Sequence, residues 1–232
     1  MQVRNYGQNC SVARACDLLG ERWTLLIVRD LLIAPRRFSE LERRLKGMGT
    51  NLLAKRLKEM RIADLLCERR GEAHYSLSEM GLGLEPLILN MAKWSLDWLA
   101  QPPGAGNIHY PDWDLLALKA LYRPDPRQKQ PILARFASQD WVAWVAIDQG
   151  TYAYGLGEPE AVPDVHFSCL VSSLRYPDAI IESLPLTERT AAEAFVSSFA
   201  VRHRGNLLER NQILSDIKQT QRSQGSFSDL GG

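Results

Sequence analysis

Residues 35–81 read PRRFSELERRL, then KGMGTNLLAKRLKEMRIADLL, then CERRGEAHYSLSEMG, and this stretch decides the fold. Ser39 begins a short helix, with Leu41 and Leu45 facing inward and Arg43, Arg44 and Lys46 outward. Gly47 and Gly49 make a tight turn. Thr50 can cap the next helix through its hydroxyl, and Gly49 is the other candidate for that position. Leu53, Leu57 and Met60 then recur at i, i+4 and i+7 as a buried seam. Asn51, Lys55 and Lys58 project from other faces, and Arg56 lies beside the seam. Leu65–Arg69 reads as a strand, Arg70–Ala73 as a turn and His74–Leu77 as the returning strand. Helix, turn, basic amphipathic helix and basic hairpin in that order make a winged helix-turn-helix.

Working outward, Val12, Ala13, Cys16 and Leu19 form an apolar stripe that stops at Gly20. A second helix opens at Glu21 and ends at Ala34-Pro35. Beyond the hairpin, Ser78 and Glu79 open a helical stretch to about Ala100, which Pro86 kinks or divides. Its apolar residues, Trp94 and Trp98 among them, lie on more than one face. Such a helix must be covered on several sides, part of that by a second subunit.

Gln101–Gly106 is a linker by composition. After it, Trp113–Leu121 reads as a helix, and Ile132–Phe136, Trp141–Ile147, Thr151–Leu156 and Val165–Val171 as strands. Gln149-Gly150 is a two-residue hairpin turn. Pro177–Ser183 and Glu188–His203 are helical in composition. The fold class is therefore α+β. A winged helix-turn-helix domain with a long dimerisation helix fills residues 1–100 and a linker spans 101–109. A second α+β domain fills 110–215, ahead of a tail at 216–232.

The net charge of +1 conceals an asymmetry. Residues 1–75 hold fifteen Lys/Arg against nine Asp/Glu, whereas residues 101–232 hold twelve against fifteen. A basic part joined to a mildly acidic one is the footprint of a nucleic-acid module attached to something else. No run of 18 apolar residues exists and the N-terminus lacks a signal peptide's apolar core, so a cytoplasmic protein without membrane contact is expected. Cys10, Cys16, Cys67 and Cys169 show no metal-ligand spacing, so neither a metal nor a disulfide scaffold is expected.

The major groove admits one helix, and polar groups on its N-terminal half can read base edges. Asn51 suits an adenine edge, Lys55 a guanine edge or a phosphate, and Thr50 and Lys58 flank them. Arg56, nearer the packed face, holds either the DNA backbone or an internal carboxylate. Arg69, Arg70 and His74 on the wing reach phosphates or the minor groove, and Arg36, Arg37 and Arg43 clamp the flanking backbone. Any one of these charges alone is ordinarily a solvated surface group. Their grouping around one amphipathic helix and one hairpin points to double-stranded DNA. The histidines (His74, His109, His166, His203) are scattered, with no nucleophile pairing and no phosphate loop, so neither catalysis nor a cofactor is expected. The alternative is a carrier of small hydrophobes whose N-terminal domain mainly dimerises; the basic face of Thr50–Arg61 argues against it.

Cys10-x-Val12-Ala13-x-Ala15-x-Asp17-Leu18-Leu19-Gly20-x-Arg22-Trp23-Thr24-Leu25-Leu26-Ile27 resembles the N-terminal signature of the HxlR-type transcription regulators. Arg37-Phe38-x-Glu40-Leu41, Asn51-Leu52-Leu53-x-x-Arg56-Leu57 and Tyr75-x-Leu77-x-x-x-Gly81 continue it, over about residues 8–100. The resemblance implies a homodimer binding an operator, with Thr50–Arg61 as recognition helix and Arg69–His74 as wing. It implies dimer contacts from the N-terminal segment and the long helix. It also offers Cys10 as a redox or electrophile sensor, against a plain packing role at the interface. Cys16, Cys67 and Cys169 are read as core. Gly49 stands where the family usually has Ser, and Asp64 where it usually has Gly.

Residues 110–200 resemble the sterol carrier protein fold appended to some of these regulators, through PDWDLLALKAL from Pro111 and DQGTYAYGLGEPEAVPDVHFSC from Asp148. Trp113, Trp141, Trp144, Tyr152, Tyr154 and Phe167 would either line a pocket for an apolar or aromatic effector or fill a sheet core.

Overall fold

The computed structural model describes residues 5–67, 73–99, 108–126, 128–138, 141–168 and 177–199. The chain divides into two compact units, Met1–Trp94 and Ser95–Gly232, so the division falls inside the last helix of the first unit. Arg69, Arg70, Cys169, most of the linker and the tail lie outside the described residues.

The first unit runs α1 (Ser11–Leu19), α2 (Thr24–Ile33), β1 (Arg36–Arg37), α3 (Phe38–Arg44), α4 (Thr50–Ile62), β2 (Leu66–Cys67), β3 (His74–Leu77), α5 (Glu79–Leu82) and α6 (Glu85–Trp98). β3 is central in an antiparallel sheet ordered β1-β3-β2, with Arg37 opposite His74 and Cys67 opposite Ser76. Ile27, Val28 and Leu31 of α2, Leu41 of α3, and Leu53, Leu57 and Met60 of α4 make its core with Leu65, Leu66 and Leu77. Each such side chain contributes about 1.5–3 kcal/mol on burial.

Three local devices set the entry and exit of α4. Gly49, in extended conformation, occupies the N-cap, and Thr50 is the first helical residue with its hydroxyl on Glu42. The cap is therefore Gly49, not Thr50. At the other end Asp64 adopts φ 60°, with Leu65 N–H donating to Met60 O at 2.9 Å and Asp64 N–H to Arg61 O at 3.1 Å. That is a Schellman closure, which short polar side chains such as Asp tolerate. Ser78 then caps α5, its Oγ accepting from Gly81 N–H at 3.1 Å and donating to Asp64 O. Gly81 must be glycine: a Cβ there would lie 2.2 Å from Leu65 O.

Several expectations are corrected. Residues 21–23 form a turn, so α2 starts at Thr24 and not at Glu21. Arg36 and Arg37 form a strand because β3 offers them a free edge. The stretch after Ser78 breaks at Gly83-Leu84, and Pro86 sits in the first turn of α6, where no N–H is needed. Arg44 points inward and is buried. In α1 only Ala13 is buried, and Cys16, expected in the core, is exposed. Nothing else within the described residues covers that side of the short helix.

The second unit runs α7 (Trp113–Leu121), β4 (Ile132–Ser138), β5 (Trp141–Asp148), β6 (Thr151–Leu156), β7 (Val165–Phe167), α8 (Pro177–Ser183) and α9 (Leu186–Ser197). The sheet order is β6-β5-β4-β7, antiparallel except for β7 alongside β4. Gln149 (φ 42°) and Gly150 (φ 90°) make the two-residue turn between β5 and β6, a type I′ geometry that needs positive φ twice. One sheet face carries Ala134, Phe136, Ala143, Val145, Val165 and Phe167, all buried in one cluster with Leu115, Ile180 and Phe195. Phe136 and Phe167 stack at 4.9 Å, and Phe195 closes on both.

Candidate nucleic-acid interface

The seam of α4 is sunk in the core, which turns its remaining surface outward. Thr50, Asn51, Lys55 and Lys58 are all exposed there. Lys55, two-thirds exposed, makes only a long 3.9 Å approach to Glu59. Thr50 and Asn51 occupy the first turn of the helix, the part that meets base edges when such a helix enters a major groove.

Arg56 is placed differently. Its side chain is almost wholly buried, with Nη2 2.7 Å from Glu21 Oε2 and Nη1 2.8 Å from Glu59 Oε2. Of the two roles open to it, the structure shows the internal carboxylate. Arg56 would have to leave both carboxylates to reach DNA.

Beside α4, β1 and β3 bring Arg37 and His74 together, with Arg37 Nε donating to His74 Nε2 at 3.3 Å. Arg37 N–H also donates to Glu40 Oε2 at 2.7 Å, which satisfies the first turn of α3. Arg37 and Arg43 are exposed and Arg36 is half-buried. Glu21, Glu42 and the buried Asp30–Arg44 pair have no sequence spacing that marks the partner each finds, whereas Glu59 stands three residues from Arg56 and four from Lys55 on one helix.

Cys10 is the N-cap residue of α1 and is exposed. The backbone amides of Ala13 and, less strongly, Val12 hold its thiol below the ordinary value, outweighing a small desolvation effect. Cys67 is half-buried, its Sγ 3.3 Å from Leu77 O. Among the described residues no group of His, Cys, Asp or Glu could hold a metal ion, and no helix is long and apolar enough to cross a membrane.

In the second unit the aromatic residues divide. Phe167 lies within the ring stack, and Tyr152 is half-buried with its hydroxyl donating to Leu115 O at 3.0 Å. Burial pushes the Tyr152 phenol well up. Tyr154 and Trp141 pack on the edge of the same cluster, while Trp113 meets Tyr110 edge-on at 5.0 Å. Trp144 lies across Gly155, where a Cβ would come within 2.6 Å of the indole.

The HxlR-like helix-turn-helix family matches residues 18–103, the stretch that holds this interface. The HTH-type transcriptional regulator YvaP of Bacillus subtilis (strain 168), uncharacterized, is 35% identical over 91 residues, covering 37% of this chain and 84% of that protein. This chain belongs to the HxlR-like family. The HTH-type transcriptional regulator YodB of the same organism is 32% identical over 93 residues, covering 38% of this chain and 82% of that protein. The crystal structure of quinone-bound YodB from B. subtilis covers 38% of this chain and 99% of that chain at 32% identity, with a TM-score of 0.36. In this HxlR-like chain the matched family region thus ends at residue 103, and most of the second unit lies beyond it.

Proposed function

We propose that this chain is a sequence-specific DNA-binding transcriptional regulator, a repressor that binds its operator as a homodimer in the cytoplasm. One observation carries the reading: α4 is anchored by Leu53, Leu57 and Met60 and presents Thr50, Asn51, Lys55 and Lys58 to solvent. Asn51 reads an adenine edge, and Lys55 a guanine edge or a phosphate. Arg36, Arg37, Arg43 and His74 hold the flanking backbone, with Arg69 and Arg70 of the wing reaching further phosphates.

Dimerisation is supported by the surface of α6. Leu87, Met91 and Trp94 recur at i, i+4 and i+7, and all three are exposed, Trp94 by 56%. An apolar stripe of that length on a helix is covered by a second copy in this reading. Exposed Val12 and Cys16 on α1 add to it. The exposure of Cys10 and its lowered pKa support thiol sensing. The second unit is the sensor or stabilising domain of sterol carrier type, its candidate effector a small apolar or aromatic molecule.

Selection of genomic fragments by the purified protein, followed across salt concentrations, tests the reading. Enrichment of a short palindrome with a steep salt dependence is the expected result. Absence of binding under both reducing and oxidising conditions overturns it.

A further inference from the structure

The apolar seam of α4 holds the helix down but does not aim it. Contacts among Leu53, Leu57 and Met60 are non-directional, and a helix can roll or slide on them at small cost. Base reading demands the opposite, because a displacement of about 1 Å spoils hydrogen-bond geometry. Directional contacts on α4 therefore matter more than their energy alone. Among the described contacts, those of Thr50 and Arg56 reach neighbouring elements. Thr50 binds Glu42 of α3 at the N-terminal end. Arg56, in the middle, spans Glu59 of its own helix and Glu21 in the turn between α1 and α2.

We infer that Arg56 is a positioning residue for DNA recognition: with Glu21 it forms a latch that sets the rotation of α4 against the α1–α2 turn. The planar guanidinium suits this role, since its donors lie in a fixed fork and are satisfied in one orientation. The charges agree. Glu21 and Glu59 place two carboxylates around one guanidinium, and Lys55 near Glu59 brings the group to neutral. A cluster serving only to attract phosphate would carry a positive excess. To touch a phosphate Arg56 would have to give up both ion pairs.

This inference rests on the DNA-binding reading, and Glu21→Gln tests it with a sign that simple electrostatics cannot mimic. Glu21 is half exposed and lies in a turn, so the variant folds. Removing a carboxylate near DNA, with no other change, strengthens binding. Loss of the latch weakens it. The measurement is fluorescence anisotropy on a labelled genomic fragment enriched by the wild-type protein, across a salt series. Glu21→Gln is expected to bind roughly tenfold more weakly, within the range of couplings between contacting residues. Its salt slope stays as in the wild type, because no phosphate contact is lost, whereas Lys55→Ala flattens the slope by about one ion. Arg56→Gln combined with Glu21→Gln is no worse than Arg56→Gln alone. Binding by Glu21→Gln that equals or exceeds the wild type overturns the latch and leaves the DNA-binding reading standing. Failure of the wild type to bind any duplex overturns both.

Discussion

Arg44 Nε lies 2.6 Å from Asp30 Oδ1, and the pair is buried, Asp30 completely and Arg44 to within 8%. Arg29 reaches the other carboxylate oxygen at 2.9 Å. The pair ties α3 to α2 beneath the surface that presents α4. Breaking a buried ion pair by removing one member costs about 3–5 kcal/mol. Asp30→Ala is therefore expected to lower the opening free energy of the first unit by that amount, read from amide hydrogen exchange along α2 and α3. An Asp30→Leu, Arg44→Met double variant should recover part of the loss, because the buried Arg44 charge is then gone while the partly exposed Arg29 can reach water.

Asn51 and Lys55 lie one turn apart on α4 but act through different physics. Asn51→Ala is expected to cost about 1–3 kcal/mol against one base pair and to leave the salt slope unchanged. Lys55→Ala should weaken all sequences alike and reduce the slope by about one. Binding of each variant to a panel of single-base operator changes separates the two patterns.

The stripe Leu87, Met91 and Trp94 gives a test of assembly. Trp94→Glu places a charge within the apolar stripe, and the sedimenting species should change from dimer to monomer. An unchanged dimer would move the interface elsewhere.

Gly81→Ala adds a methyl group where Leu65 O stands 2.2 Å away. That oxygen also accepts from Ser78 N–H at 3.1 Å, so it cannot retreat without breaking the α4–β2 corner. Overpacking of this kind costs about 1–3 kcal/mol. A lowered thermal midpoint of the full chain, with Gly83→Ala as the milder comparison, checks it.

In the second unit His109 Nε2 sits 2.9 Å from Asp114 Oδ1. The hydrogen bond to Asp114 raises the His109 pKa, against an opposing effect of partial burial. A histidine raised on folding stabilises the folded state in full below its unfolded pKa, and the contribution is lost as pH rises through the folded value. An NMR titration should place His109 above its ordinary pKa, and Asp114→Asn should bring it back down.

Much of this architecture follows from local pattern. The period of Leu53, Leu57 and Met60, the helices Trp113–Leu121 and Pro177–Ser183, and the Gln149-Gly150 turn each rest on residues close in sequence, whose backbone preferences act before any tertiary contact forms. The strand at Arg36–Arg37 does not: it exists because β3 pairs with it.

Arg43 and Arg44 are adjacent residues of one type, about 100° apart around the same helix. Helical period sets Arg44 nearer than Arg43 to the Leu41–Leu45 face, but the partner that lets it be buried, Asp30, lies on another helix. Arg56 likewise became a structural cation only when folding brought Glu21 within 2.7 Å. The sequence by itself determined the helices, the hairpins and the basic surface, because helical period and turn preference are short-range. Only the tertiary structure decided which cations face solvent, because a charged side chain takes its role from the partner that folding places beside it.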